Sequence, residues 1–165
     1  MIIKVIPRIA MDNIVYDPDK VKNYHIISIY GQGMSKIEID SNDFLQLNFD
    51  DITDKEYQQC FESIPGLRLF NKDHANKIIK YVEKLMVIKD KKMLLVNCHA
   101  GISRSGAVGK FANEIINEDN KDHYDKFYEL NPSIGPNNYV DNLLNNTWIE
   151  KRYPNGGSAF GKRIF

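Results

Sequence analysis

The stretch Met93–Ile116, MLLVNCHAGISRSGAVGKFANEII, constrains this chain more than any other. It reads as a short apolar strand, a tight glycine-bearing loop and then an amphipathic helix. Cys98 falls at the end of the strand, and Arg104 and Ser105 fall where the helix begins. A loop that runs from a strand into a helix N-terminus aims its backbone N–H groups at one point. The helix dipole adds partial positive charge there. Gly101 lets the loop turn tightly, because glycine takes backbone angles that other residues resist. Arg104 brings a planar fork that fits two oxygens of a phosphate. The same positive field lowers the pKa of the Cys98 thiol, and the thiolate is the form that attacks. The loop can therefore bind an anion and present a nucleophile to it.

Two rival readings of this loop fail. A nucleotide-binding P-loop needs Lys after Gly106, where this chain has Ala107. A metal site needs further Cys or His at ligand spacing, and only His99 is near. What remains, Cys98–x5–Arg104–Ser105 within CHAGISRSG, resembles the signature loop of the protein tyrosine phosphatases. The wording is similar to that of their small, dual-specificity-like members of bacterial or phage type. The resemblance runs in order from Tyr24 to about Trp148, and NPSIGPNNYVDNLL resembles the Pro-Asn helix start of bacterial phosphatase-like proteins.

Length and composition agree with such an enzyme. The 165 residues suit one domain with a real core, expected over 1–154, followed by a Gly-rich mobile tail over 155–165. Lys plus Arg equal Asp plus Glu at 22 each, which gives no support for a bulk nucleic-acid binder. No apolar run approaches the roughly 18 residues of a membrane span. No signal peptide is expected, since Lys4, Pro7 and Arg8 interrupt the start. Two cysteines, Cys60 and Cys98, form no disulfide framework and fit a reducing cytoplasm. Cys60 reads as a small filler, with redox partnership to Cys98 as the alternative.

Strand patterns at Ile2–Ile6, Tyr24–Tyr30 and Phe44–Phe49 join the strand Met93–Val96. Residues 10–22 are mixed, with a turn at Asp17-Pro18-Asp19. His25 reads as a satisfied core residue before it reads as a catalyst. A helix is expected over Asn71–Val87, capped by Asn71, with Ala75, Ile78, Ile79, Val82, Leu85 and Met86 on its apolar stripe. Further helices are expected at Asp122–Leu130 and from Pro136, the last burying Val140, Leu143, Leu144, Thr147 and Trp148. Strands alternating with helices predict an α/β fold: a central, largely parallel sheet of four or five strands with helices on both faces. This is the cysteine-phosphatase architecture that the resemblance also implies.

The turn Asp50-Asp51-Ile52-Thr53-Asp54 after the third strand is the second candidate site. The bland reading is a solvated cap. The functional one is a general acid, which a phosphatase needs to protonate the departing oxygen. The resemblance implies that the second Asp of a Phe-Asp-Asp string is that acid, so Asp51 stands first and Asp50 second. Residues 55–70 read as an insertion, with Tyr57, Phe61 and Phe70 expected to cover or flank the site. Asn137 could be a helix cap or could approach the active site.

The resemblance implies a two-step hydrolysis. Cys98 attacks phosphorus, while Arg104 and the amides of His99, Ala100, Gly101, Ile102, Ser103 and Arg104 hold the phosphate oxygens. Asp51 protonates the leaving oxygen and then activates water, and Ser105 helps the thiolate depart. No metal or cofactor is required. The expected partner is a phosphorylated protein or peptide, bearing phosphotyrosine or also phosphoserine and phosphothreonine. The sequence departs from the pattern at Asn97, where the family carries His. That exchange predicts a higher Cys98 pKa than the family's and a slower enzyme. Two other classes stay open: a weak or inactive phosphate- or phosphopeptide-binding module, and a rhodanese-type sulfurtransferase or arsenate reductase.

Overall fold

Four short strands, the first two rich in isoleucine and valine, pair side by side in one all-parallel sheet. In chain order they are β1 (Ile3–Pro7), β2 (Tyr24–Tyr30), β3 (Phe44–Asn48) and β4 (Met93–Cys98), and in space they run β1-β4-β2-β3. The computed structural model describes residues 1–88, 90 and 92–154. The tail expected over 155–165 lies outside the described residues. Seven helices complete these residues: α1 (Arg8–Val15), α2 (Pro18–Val21), α3 (Asp54–Cys60), α4 (Lys72–Val87), α5 (Arg104–Ile116), α6 (Lys121–Leu130) and α7 (Asn138–Arg152). The fold is the expected α/β arrangement with a four-stranded sheet.

Side chains alternate across a strand, so β4 feeds two cores. Leu94, Val96 and Cys98 join Ile27 and Ile29 in the larger one, against residues of α4, α5 and α7. Leu95 joins Ile6 and Ile26 in a smaller core that includes Met11 of α1 and Ile37 of the β2–β3 connection. Burial on both faces accounts for the largely apolar reading of β2 and β4. Asn71 caps α4 as expected, its side chain accepting from the His74 amide, and Asn137 caps α7 by accepting from the Val140 amide.

Several expectations change. Residues 10–22 are mostly helical: α1 starts at Arg8, and Asp17 with Pro18 opens the one-turn α2 rather than a free turn. Met11 is the one fully buried residue of α1, and Ala10, Ile14 and Val15 pack half-buried against the same core. Met86 is 48% exposed, because α4 ends one residue later at Val87. Phe70 does not cover the site. It is fully buried and packs against Phe49, with ring centroids 4.7 Å apart. His25 is fully buried at the N-terminal end of β2, away from the loop. Its Nε2 lies 3.0 Å from Asp90 and its Nδ1 3.2 Å from Asp43, the latter too poorly aligned for a hydrogen bond. Cys60 is half-buried at the end of α3, in keeping with a filler. Among the described residues no helix is long and apolar enough to cross a membrane.

Candidate active site

β4 ends at Cys98 and α5 begins at Arg104, so the loop between them sits at the C-terminal edge of the sheet, where open α/β sheets bind ligands. Its carbonyls are tied away from the thiol. His99 O accepts from the Arg8 amide at 3.0 Å, Ile102 O from Gly135 at 3.3 Å, and Ser103 O from Ala107 at 3.0 Å and Asn137 at 3.2 Å. Gly101 has φ 72°, and a Cβ there would lie 2.5 Å from backbone atoms of Ile6 and Pro7. Both conditions require glycine. With its carbonyls held outward, the loop is free to turn amides inward.

Cys98 is 2% exposed, and its Sγ lies 3.0 Å from Ser105 Oγ. Burial pushes the thiol up. The Ser105 hydroxyl and the amides of Ser105, Ile102 and Gly101 more than offset that, and the thiol stays below its ordinary value. The Ser105 amide lies outside the expected 99–104 range. Asn97 does not contribute. Strand alternation puts its side chain on the opposite face from Cys98, and neither of its buried polar atoms has a partner among the described residues.

Arg104 is 7% exposed. One terminal nitrogen donates to Phe49 O at 2.8 Å. Its Nε is buried with no hydrogen-bond partner among the described residues. A buried charged donor left unpaired is costly, so an acceptor belongs there. A phosphate oxygen over the Cys98 loop would satisfy it.

The two aspartates of the acid turn behave differently. Asp50 is 9% exposed and committed on both oxygens: Oδ1 accepts from the Gln32 amide at 2.7 Å and Oδ2 from the Arg68 amide at 2.8 Å. Gly31 makes room for it, since a Cβ there would lie 2.3 Å from Asp50 Oδ1 and 2.9 Å from the Arg104 guanidinium. Asp51 is exposed and reaches the Cys98 loop. Its Oδ1 accepts from Ser103 Oγ at 2.7 Å and from Asn137 Nδ2 at 2.8 Å. Asn137 therefore fills both roles weighed for it, capping α7 and touching the site. The Ser103 hydroxyl had no motif to announce it.

Thiol, amides, guanidinium and Asp51 thus converge on one edge of the sheet. Among the described residues no group of three His, Cys, Asp or Glu side chains could hold a metal ion. No family model and no curated protein sequence matches the chain. Solved structures do. PTPMT1 in complex with PI(5)P superposes with a TM-score of 0.51 at 11% identity, over 93% of this chain and 94% of that one. PTPMT1 alone gives 0.51 at 13%, with the same coverage. A leucine rich repeat and phosphatase domain containing protein from Entamoeba histolytica gives 0.44 at 18%, over 96% of this chain and 94% of that one. A match of such length at so low an identity is a match of folds: this chain shares the fold of PTPMT1.

Proposed function

We propose that this protein is a cysteine-dependent phosphatase that hydrolyses phosphomonoesters, with phosphotyrosine in proteins as its first substrate class and phosphoserine and phosphothreonine as its second. The unpartnered Nε of buried Arg104, in the loop that holds the Cys98 thiol below its ordinary pKa, carries this reading. The two free cysteines suit a reducing cytoplasm.

The reaction has two steps. Cys98 Sγ attacks phosphorus as the bond to the leaving oxygen breaks, and Asp51 gives its proton to that oxygen. Arg104 and the loop amides take up the charge on the remaining phosphate oxygens. A cysteinyl-phosphate is left. Asp51, now a carboxylate, takes a proton from water as the water oxygen attacks phosphorus. The S–P bond breaks, Ser105 donates a hydrogen bond to the returning thiolate, and inorganic phosphate departs.

The Asp51 tether supports its role as the acid. Ser103 and Asn137 both donate to Oδ1, which leaves Oδ2 to carry the proton. Asp50 has no oxygen to spare. With a poor leaving group such as an alkyl phosphate, Asp51→Asn should cost about 10²–10⁴ in kcat/KM, the range of general acid catalysis. Asn137→Ala should cost about tenfold by loosening the same carboxylate. A good leaving group such as p-nitrophenolate should shrink both losses. Equal losses on good and poor leaving groups would remove Asp51 from the acid role.

The thiol gives a pH test. A donor to sulfur stabilises the thiolate, so deleting it raises the pKa. Alkylation of Cys98 by iodoacetamide, followed against pH, should reach half-maximum at higher pH in Ser105→Ala than in wild type. An unmoved midpoint would mean that the Ser105 hydroxyl does not stabilise the thiolate.

A further inference from the structure

A second concave surface lies beside the acid turn. Asn48, Tyr57, Arg68, Asn71 and His74 line a cleft of about 400 Å³ together with two leucines. No residue of the 98–105 loop lines it, so it is distinct from the phosphate site. It adjoins that site on two sides. The Arg68 backbone clamps Asp50, its N–H donating to Oδ2 at 2.8 Å and its carbonyl accepting from the Asp50 amide at 2.7 Å. Asn48 immediately precedes Phe49, whose carbonyl receives Arg104.

The sheet register fixes the separation. Ser28 pairs with Asn97 and Ile29 with Leu47, so Asn48 stands one step beyond the level of Cys98. β3 is two strands from β4. At about 4.8 Å per strand the Asn48 backbone, on one wall of the cleft, stands about 10 Å from the Cys98 backbone, the span of roughly three extended residues.

The cleft is rich in donors, and none of its lining residues is acidic. The exposed Arg68 guanidinium enters no hydrogen bond or ion pair among the described residues. His74 is held by stacking on Phe70, with centroids 5.7 Å apart, and its Nδ1 accepts from the Asn71 amide at 3.3 Å. Burial first, then the charges of Lys77 and Arg68 against that of Asp73, keep the imidazole below its ordinary pKa. The ring is therefore neutral at pH 7, with its proton on Nε2. The nearby carboxylates of α3 are engaged within their own helix: Glu56 closes the capping box with Thr53, and Asp54 accepts from Gln58.

We infer that this cleft is a second-anion subsite, which takes a carboxylate or phosphate carried by the same substrate about 10 Å from the phosphoryl group under attack. The inference rests on the phosphatase reading for the first site, but its test is a binding measurement that does not need turnover. Three phosphotyrosine peptides are compared on the Cys98→Ser protein by calorimetry: one with alanine three positions away on both sides, one with glutamate there, and one with phosphoserine there. The acidic peptides should bind roughly fivefold tighter than the alanine peptide, the scale of an exposed charge pair with hydrogen bonds. The preference should vanish when Arg68→Gln is added and return in part with Arg68→Lys. The His74 ring resonances should shift with the acidic peptides only. A larger gain for phosphoserine than for glutamate identifies a phosphate subsite, and equal gains a general anion subsite. Three equal affinities, or a preference that survives Arg68→Gln, overturn the inference. If wild type hydrolyses none of the peptides while the preference stands, the hydrolysis reading falls and the subsite remains.

Discussion

Cys98→Ser is expected to abolish turnover of an aryl phosphate while the protein still binds inorganic phosphate. The two outcomes separate because the loop does two jobs with different atoms. In the proposed mechanism binding belongs to the loop amides and Arg104, and bonds from the loop's outward carbonyls to Arg8, Gly135, Ala107 and Asn137 help to hold it. None of them passes through sulfur. Attack belongs to the ionised sulfur, and a serine hydroxyl in the same cradle does not ionise at neutral pH. Loss of the nucleophile costs about 10⁶ in kcat in a serine protease, another enzyme with a covalent intermediate. Phosphate affinity within a few fold of wild type, with no turnover, is the expected pair. Turnover retained in Cys98→Ser would refute the cysteine mechanism outright.

Arg104→Lys should be nearly as damaging, and for a different reason. The guanidinium is anchored through Phe49 O at 2.8 Å, and the anchor aims its free Nε. Lysine keeps the charge but loses the fork, so it cannot both hold Phe49 and grip a phosphate oxygen. One lost oxyanion donor costs about 10²–10³, and Arg104 supplies more than one, so kcat/KM should fall by at least about 10³. Because the contact strengthens as charge builds on the equatorial oxygens, kcat should fall more than KM rises. A Lys variant within tenfold of wild type would show that the charge alone suffices. The anchor also makes the acid turn and the phosphate loop interdependent, since Phe49 directly precedes Asp50.

What was legible in the sequence was what is local. The Cys98 loop is written in eight consecutive positions, and the strand, glycine and helix around it are each set by neighbours in the chain. The Asn71 cap and the isoleucine-rich β2 were readable for the same reason. The two-residue periodicity of β4 also implies that Asn97 faces away from Cys98, which weakens any direct role for it in the loop. Long-range placement was not legible. Asp50 and Asp51 are adjacent and chemically identical, and they part only because the backbones of Gln32 and Arg68 receive one while Ser103 and Asn137 receive the other. Phe70 looked like a lid because it sits in a polar insertion, yet it closes against Phe49 in the core. α1 is hard to read because its stripe of Ala10, Met11, Ile14 and Val15 covers only two turns and the exposed Ile9 blurs it.

The central claim is the covalent intermediate on Cys98, and acid quenching during turnover reaches it directly. Wild type and Asp51→Asn are mixed with an excess of an aryl phosphate that has a good leaving group, quenched in acid, digested and read by mass spectrometry. A phosphoryl group on the peptide containing Cys98 is expected. It should accumulate further in Asp51→Asn, which lacks the base for hydrolysis, and should be absent from Cys98→Ser. Turnover with no adduct, or an adduct on His99 in place of Cys98, would contradict the mechanism.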